Sequence, residues 1–221
     1  MLKVFVASDD IADISEEIEL SEYRKNKIAA LNNDEVKKQS KAVGMLFSYA
    51  LRFCYGIDES RVEYGESERG KPFLKGYPDV YFNISHTKGR CAVALSDKPV
   101  GIDIERFRDF FDGHSFVTIA KRYFSEAERV AYGLMSNGEG RPGMRRFYRL
   151  WTAKESAVKC TGDGIADGFK GFSLPFFTTR CEFEGRYFTA IDTEEYALTV
   201  CSCSDEMPIV EKIECFEDMM K

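Results

Sequence analysis

Asp103 and Glu105 stand two apart in Val100-Gly101-Ile102-Asp103-Ile104-Glu105. In an extended strand positions i and i+2 face the same way. The two carboxylates would then share one side while Ile102 and Ile104 take the other. Carboxylates held side by side repel unless a cation or protons separate them, and such oxygen pairs suit Mg²⁺. The plainer alternative is an amphipathic strand with a wet acidic face. A second group lies in Trp151-Thr152-Ala153-Lys154-Glu155-Ser156-Ala157-Val158-Lys159. At helical spacing Trp151, Glu155 and Lys159 share a face. A carboxylate and two amines beside a large anchor could hold a metal-bound phosphate; the ordinary reading is a core Trp with a surface Glu–Lys pair.

Other signals are weaker one by one. Asn83-Ile84-Ser85-His86 ends an apolar run, and a His, a hydroxyl and open backbone N–H groups at a strand end suit a phosphate. A lone His is more often structural. Gly70-Lys71-Pro72 is a common turn. In Phe124-Ser125-Glu126-Ala127-Glu128 the spacing of Ser125 and Glu128 predicts a helix-capping box.

The elements that must position these residues follow from pattern. Residues 2–7 read as a strand, about 14–31 as a helix, and 33–56 as a clearer helix, capped by Asn33 or Asp34 and closed by Gly56. A strand is expected at 61–64. Three more, Val80–Ser85, Cys91–Leu95 and Val100–Glu105, are separated by turn residues and read as an antiparallel meander. Helices are expected at about 115–123, 125–135 and 142–160, and strands at 181–184, 186–191, 196–203 and 209–216. The chain thus reads twice as helix followed by strands. The expected fold is α+β, in two similar halves, 1–105 and 106–221, each with a small mainly antiparallel sheet and packed helices.

Composition narrows the function. The chain has 221 residues, and 31 basic against 37 acidic side chains leave a net charge of −6. A globally basic nucleic-acid binder is disfavoured. The start resembles no signal peptide, and no run of about 18 apolar residues exists to span a membrane. The seven cysteines include no CxxC pair, and only His86 and His114 could supplement them, which argues for buried free thiols over zinc. The cytoplasm is the expected compartment.

Taken in order, Gly70-Lys71-Pro72, Phe82-Asn83-Ile84-Ser85-His86, Gly101-Ile102-Asp103-Ile104-Glu105, Phe124-Ser125-xx-Glu128 and Trp151-xx-Lys154-Glu155-xxx-Lys159 resemble the 4'-phosphopantetheinyl transferases, and within them the Sfp-type with two fused halves. The resemblance implies a pseudo-dimer of two α+β halves with coenzyme A in the cleft between them. It implies a Mg²⁺-dependent transfer of phosphopantetheine from coenzyme A to a serine of an acyl or peptidyl carrier protein, Mn²⁺ being able to substitute, with adenosine 3',5'-bisphosphate released. Asp103, Glu105 and Glu155 would bind the metal. Lys159 would grip the pyrophosphate, and Glu155 would take the serine proton. Lys154 would sit near the phosphates. Lys71, Ser85 and His86 would position coenzyme A phosphates, and Gly70, Pro72 and Asn83 would shape that wall. Where the family carries an Arg for the 3'-phosphate this chain has Ser40, and Lys41 or Lys38 stands in. A monomer is expected, with the carrier docking near Phe107–Arg122, where Phe107-Arg108-Asp109-Phe110-Phe111 meets Lys121-Arg122; Arg141, Arg145, Arg146 and Arg149 are the next candidate. The other readings are a non-catalytic coenzyme A- or carrier-binding module and a metal-dependent phosphoesterase.

Overall fold

The computed structural model describes residues 1–13, 18–108, 116–136, 140–162, 169 and 171–214. The fold is α+β. Strands β1 (Leu2–Ser8), β4 (Tyr81–Thr87), β5 (Arg90–Ser96) and β10 (Ile209–Ile213) form a four-stranded sheet in the order β10-β1-β5-β4. Strands β6 (Val100–Arg106), β7 (Arg180–Phe183), β8 (Arg186–Ala190) and β9 (Tyr196–Ser202) form a second, in the order β6-β9-β8-β7. A short hairpin joins β2 (Tyr64–Glu66) to β3 (Pro72–Leu74). The helices are α1 (Glu22–Ala29), α2 (Asp34–Tyr55), α3 (Phe116–Tyr123), α4 (Glu126–Ala131) and α5 (Gly140–Thr161).

Strand alternation decides the layering. Along β1, Phe5 and Ala7 face α2, packing on Leu46, Phe47, Ala50 and Leu51. Leu2, Val4 and Val6 face the other way and meet Ile102, Ile104, Leu198 and Val200 of the second sheet. The outer side of that sheet is covered by α5 and α3, through Phe147, Ala153, Ala157, Phe116 and Ala120. Because Ile102 and Ile104 point between the sheets, Asp103 must point towards α5.

Helix α2 ends as the sequence predicts. Asn33 caps its N-terminus by accepting from Val36 N at 3.1 Å, and Gly56 closes it in the left-handed region, at φ 65°. The capping box at Ser125 and Glu128 also forms. The first predicted helix is shorter, Glu22–Ala29, and residues 14–17 lie outside the described part. The strand expected at 61–64 falls at Tyr64–Glu66, because Asp58 bonds Ser60 N and opens a 3-10 turn over Glu59–Arg61.

The predicted meander does not form. Strand β5 is already paired on both edges, with β1 and β4, so β6 finds no free edge there and pairs antiparallel with β9 instead. In hydrogen bonding the chain passes from the first sheet to the second within Asp97-Lys98-Pro99. The last strand also crosses back, β10 pairing parallel with β1 in the first sheet.

Two tight features fix α5. A Cβ at Gly101 would lie 2.0 Å from Ser156 O and 2.4 Å from Cys160 N, so β6 reaches the helix backbone only because residue 101 has no side chain. Farther along, Lys154 is fully buried; its ammonium donates to Glu128 Oε1 and Phe172 O, both at 2.7 Å, and lies 4.4 Å from the Phe172 ring centroid. Glu128 also accepts from Ser125 N and Leu174 N. Lys154, expected near a cofactor's phosphates, has its charge taken up inside the protein, where it ties α5 to α4.

Gly101→Ala should lower stability by about 3 kcal/mol or more, since backbone atoms cannot step aside; a melting temperature within 2 °C of wild type, read by circular dichroism, would refute this packing. Lys154→Met should cost roughly 3–5 kcal/mol by stranding the Glu128 charge, and adding Glu128→Gln should recover part of the loss in the same melt.

Candidate active site

The site grows from three elements, the β4 edge, the β6 edge and one face of α5. On β6, Asp103 is buried and Glu105 half-buried. On α5, Glu155 is buried and Lys159 half-buried. Lys159 Nζ donates to Asp103 Oδ1 at 2.6 Å and to Ser85 Oγ at 3.1 Å, and Ser85 Oγ donates to the same Asp103 oxygen at 2.9 Å. On the next rung, Thr87 Oγ1 donates to Glu105 Oε2 at 3.4 Å. The sequence-predicted residues Ser85, Asp103 and Lys159 are therefore in direct contact, with Glu105 and Glu155 within their field.

That field is strongly acidic. Burial, then Asp103, push Glu155 up to about 7, with Lys159 opposing and Glu105 adding to the rise. Burial, then Asp103, raise Glu105 as well, against the pull of Arg108, Thr87 and Lys159. His86, at the exposed rim of β4, is pulled below its ordinary value by desolvation and then by Lys159. Three carboxylates facing one ammonium leave an excess of negative charge in a partly dry place, which a divalent cation would relieve.

Among the described residues no group of three His, Cys, Asp or Glu side chains is gathered into a ready metal cage. The donor chemistry nevertheless fits one. Asp103 Oδ2 is buried and has no hydrogen-bond partner, and such an orphaned oxygen calls for a ligand. It is accompanied by two further carboxylates of the type that Mg²⁺ prefers.

A cavity of about 670 Å³ opens beside these groups, lined by Glu35 and Gln39 of α2, His86, Thr87 and Lys88 of the first sheet, and Glu105 to Arg108. The other predicted binding residues fall elsewhere. Lys71 points its ammonium at Val100 O and Cys160 O, at 3.2 and 2.9 Å, clasping the end of α5 to the start of β6. Burial holds its pKa down. With Pro72 it lines a separate, more apolar cavity of about 360 Å³ that includes Phe73, Tyr77 and Phe82. Gly70, at φ 79°, forms the hairpin turn leading into Lys71. Asn83 uses its Oδ1 to accept from Ile102 N at 2.8 Å. Lys41 donates to Ala12 O at 2.9 Å and is absent from the larger cavity's lining; Lys38 pairs with Asp10 and Asp13. What α2 presents there is Glu35 and Gln39.

Trp151 does not face the carboxylates. It packs among Tyr123, Phe124, Phe147 and Phe169, anchoring α5 as the ordinary reading of that residue would have it. Sequence reasoning missed Thr87 and the Glu128–Lys154 pair. Thr87 carried a signal in its place two residues after Ser85, matching the Asp103 to Glu105 step. Glu128 and Lys154 both stood in the ordered blocks, but nothing in one dimension joined them.

Comparison with known proteins identifies the family. Residues 99–204, which hold the carboxylates and Lys159, match the family model of the 4'-phosphopantetheinyl transferase superfamily. The chain is 31% identical over 191 residues to a 4'-phosphopantetheinyl transferase of Bacillus subtilis, covering 80% of this chain and 79% of that protein. It is 29% identical over 167 residues to the 4'-phosphopantetheinyl transferase Sfp of Bacillus subtilis strain 168, covering 70% and 69%. It is also 34% identical over 115 residues to the 4'-phosphopantetheinyl transferase HetI of a Nostoc species, covering 50% and 46%. With the carboxylate and lysine groups lying inside the matched region, the chain belongs to the 4'-phosphopantetheinyl transferase superfamily.

Proposed function

We propose that this chain transfers 4'-phosphopantetheine from coenzyme A to a serine of an acyl or peptidyl carrier protein, in the cleft of a pseudo-dimer of two sheet-and-helix halves. The observation that carries this reading is the hydrogen-bonded Asp103–Ser85–Lys159 group, with the orphaned Asp103 oxygen and two further carboxylates around it. Asp103, Glu105 and Glu155 would hold Mg²⁺ or Mn²⁺, which when bound neutralises pyrophosphate charge and stabilises the leaving phosphate. Lys159 grips the pyrophosphate and meets the charge that develops on the departing group. His86 contacts a coenzyme A phosphate from the rim. The serine Oγ forms a bond to the phosphorus nearest the pantetheine. The bridging P–O bond breaks, adenosine 3',5'-bisphosphate leaves with that electron pair, and the serine proton passes to Glu155.

The carrier docks, in this reading, on α3. Lys121 and Arg122 are exposed at its last turn. The alternative arginine patch is largely consumed by the protein itself. Arg145 pairs with Glu194 and lies over the Phe107 ring; Arg146 donates to Tyr132 O; Arg149 pairs with Asp192. Phe107 packs against Tyr148, while Asp109, Phe110 and Phe111 lie outside the described residues. The protein acts as a monomer in the cytoplasm.

Incubation with coenzyme A, Mg²⁺ and an apo carrier protein should raise the carrier's mass by one phosphopantetheine group, read by intact-protein mass spectrometry. EDTA should abolish the gain and Mn²⁺ restore it; full transfer in excess EDTA would sink the metal reading. Lys159→Ala should cut turnover by roughly 10²–10³-fold, the usual loss for one transition-state charge contact. Reversing the charge of Lys121 and Arg122 should raise the carrier KM and leave that for coenzyme A unchanged, with the effect shrinking as salt rises. An unaltered carrier KM would remove α3 as the docking face.

A further inference from the structure

Strand β6 is an edge strand, paired with β9 on one side only. Its outward N–H groups at positions 102, 104 and 106 need partners. They find them in alternate side chains of β4. Ile102 N donates to Asn83 Oδ1 at 2.8 Å, Ile104 N to Ser85 Oγ at 3.4 Å, and Arg106 N to Thr87 Oγ1 at 3.2 Å. Two of these acceptors are hydroxyls, and a hydroxyl that accepts still has one proton to give. Ser85 gives its proton to Asp103 at 2.9 Å, and Thr87 gives its own to Glu105 at 3.4 Å. Ser85 also accepts from Lys159 at 3.1 Å, which fills both its lone pairs and its single proton. Ser85 and Thr87 are both buried.

We infer that Ser85 and Thr87 are positioning residues for the carboxylate pair: each hydroxyl is fastened to the β6 backbone and aims one carboxylate of the same strand, Ser85 Asp103 and Thr87 Glu105. This inference rests on the proposed reading of Asp103 and Glu105 as metal ligands. A serine or threonine at one rung of the ladder would suffice to satisfy an N–H. Two in succession, in register with two carboxylates and eighteen residues from each, go further than edge protection requires. The hydroxyls use their lone pairs on backbone or lysine donors, and each turns its proton to a carboxylate. Partners of this kind around metal ligands typically change metal affinity by about 10- to 100-fold when removed.

The test reads metal binding directly, by the free Mn²⁺ electron paramagnetic resonance signal, on the full chain without carrier. Thr87→Val keeps the shape and removes the hydroxyl; it should weaken Mn²⁺ binding about tenfold, while Thr87→Ser binds as wild type. In a Glu105→Gln background Thr87→Val should cost no further Mn²⁺ affinity, because the group it aims has lost its charge. If Thr87→Val does not fold, Ser85→Ala and Asp103→Asn form the equivalent cycle. Wild-type Mn²⁺ affinity in Thr87→Val, or additive losses in the double variant, would overturn the inference alone. A wild-type chain that binds no Mn²⁺ would overturn the metal reading and this inference with it.

Discussion

The edge of β6 is the constraint on which the site depends. A strand with a bare edge must satisfy its outward N–H groups or leave them to water. Here the partner is another sheet's edge, but the join is made by side chains of β4 and not by its backbone. A backbone ladder would have fused the two sheets into one and left no acceptor side chains between them. The side-chain ladder lets the two edges meet while carrying hydroxyls into the line where Asp103 and Glu105 emerge. The larger cavity opens where these two strands end, at His86 to Lys88 and Glu105 to Arg108.

Helix α5 closes that line from the other side, and its approach is set by the missing side chain at Gly101. The helix carries two lysines, five residues apart, that meet opposite ends. Lys154 faces a fully buried carboxylate, the Phe172 carbonyl and the rings of Phe169 and Phe172, so its charge is consumed in holding α5 against α4 and the loop at Phe172 and Leu174. Lys159, one and a half turns on, emerges at the cleft with its ammonium on Asp103. The first secures the frame within which the second can act. Lys71 adds a third clasp by reaching the carbonyls of Cys160 and Val100 at the end of the same helix. A half-buried ammonium bonded to one of the last carbonyls of a helix stabilises its C-terminus.

The distribution of charge follows the same economy. The chain is acidic overall, and many of its cations are bound at home. The lysines of α2 answer Asp10, Asp13, Asp34 and a backbone carbonyl, and Arg145, Arg146 and Arg149 of α5 answer the 192–194 turn, Thr178 and Tyr132. Such pairs fasten α2 to the segment after β1 and α5 to the turn between β8 and β9. An attractive surface for an acidic partner would then be made by exposed cations outside these pairs, among them the adjacent Lys121 and Arg122 of α3.

Much of this molecule is legible in one dimension. Apolar runs set between turn residues located β4, β5, β6, β8 and β9; helical spacing with Asn33 and Gly56 bounded α2; and Ser125 with Glu128 marked a capping box. The i and i+2 spacing placed Asp103 and Glu105 on one side of a strand, and the ordered blocks pointed to the family. All of these depend on neighbours in the chain, whose geometry the backbone period dictates. What only the tertiary structure decided depends on edges and distances between remote residues. Which strand takes the free edge of another is settled by competition: β1 had already occupied β5, so β6 went to β9 and β10 returned to β1. Whether a lysine serves a ligand or the core is settled by what lies opposite, and Lys154 and Lys159 look alike until Glu128 and Asp103 are set before them. The i+2 step from Ser85 marks Thr87 only once its partner is known, since that partner is a carboxylate eighteen residues away on a strand of a different sheet.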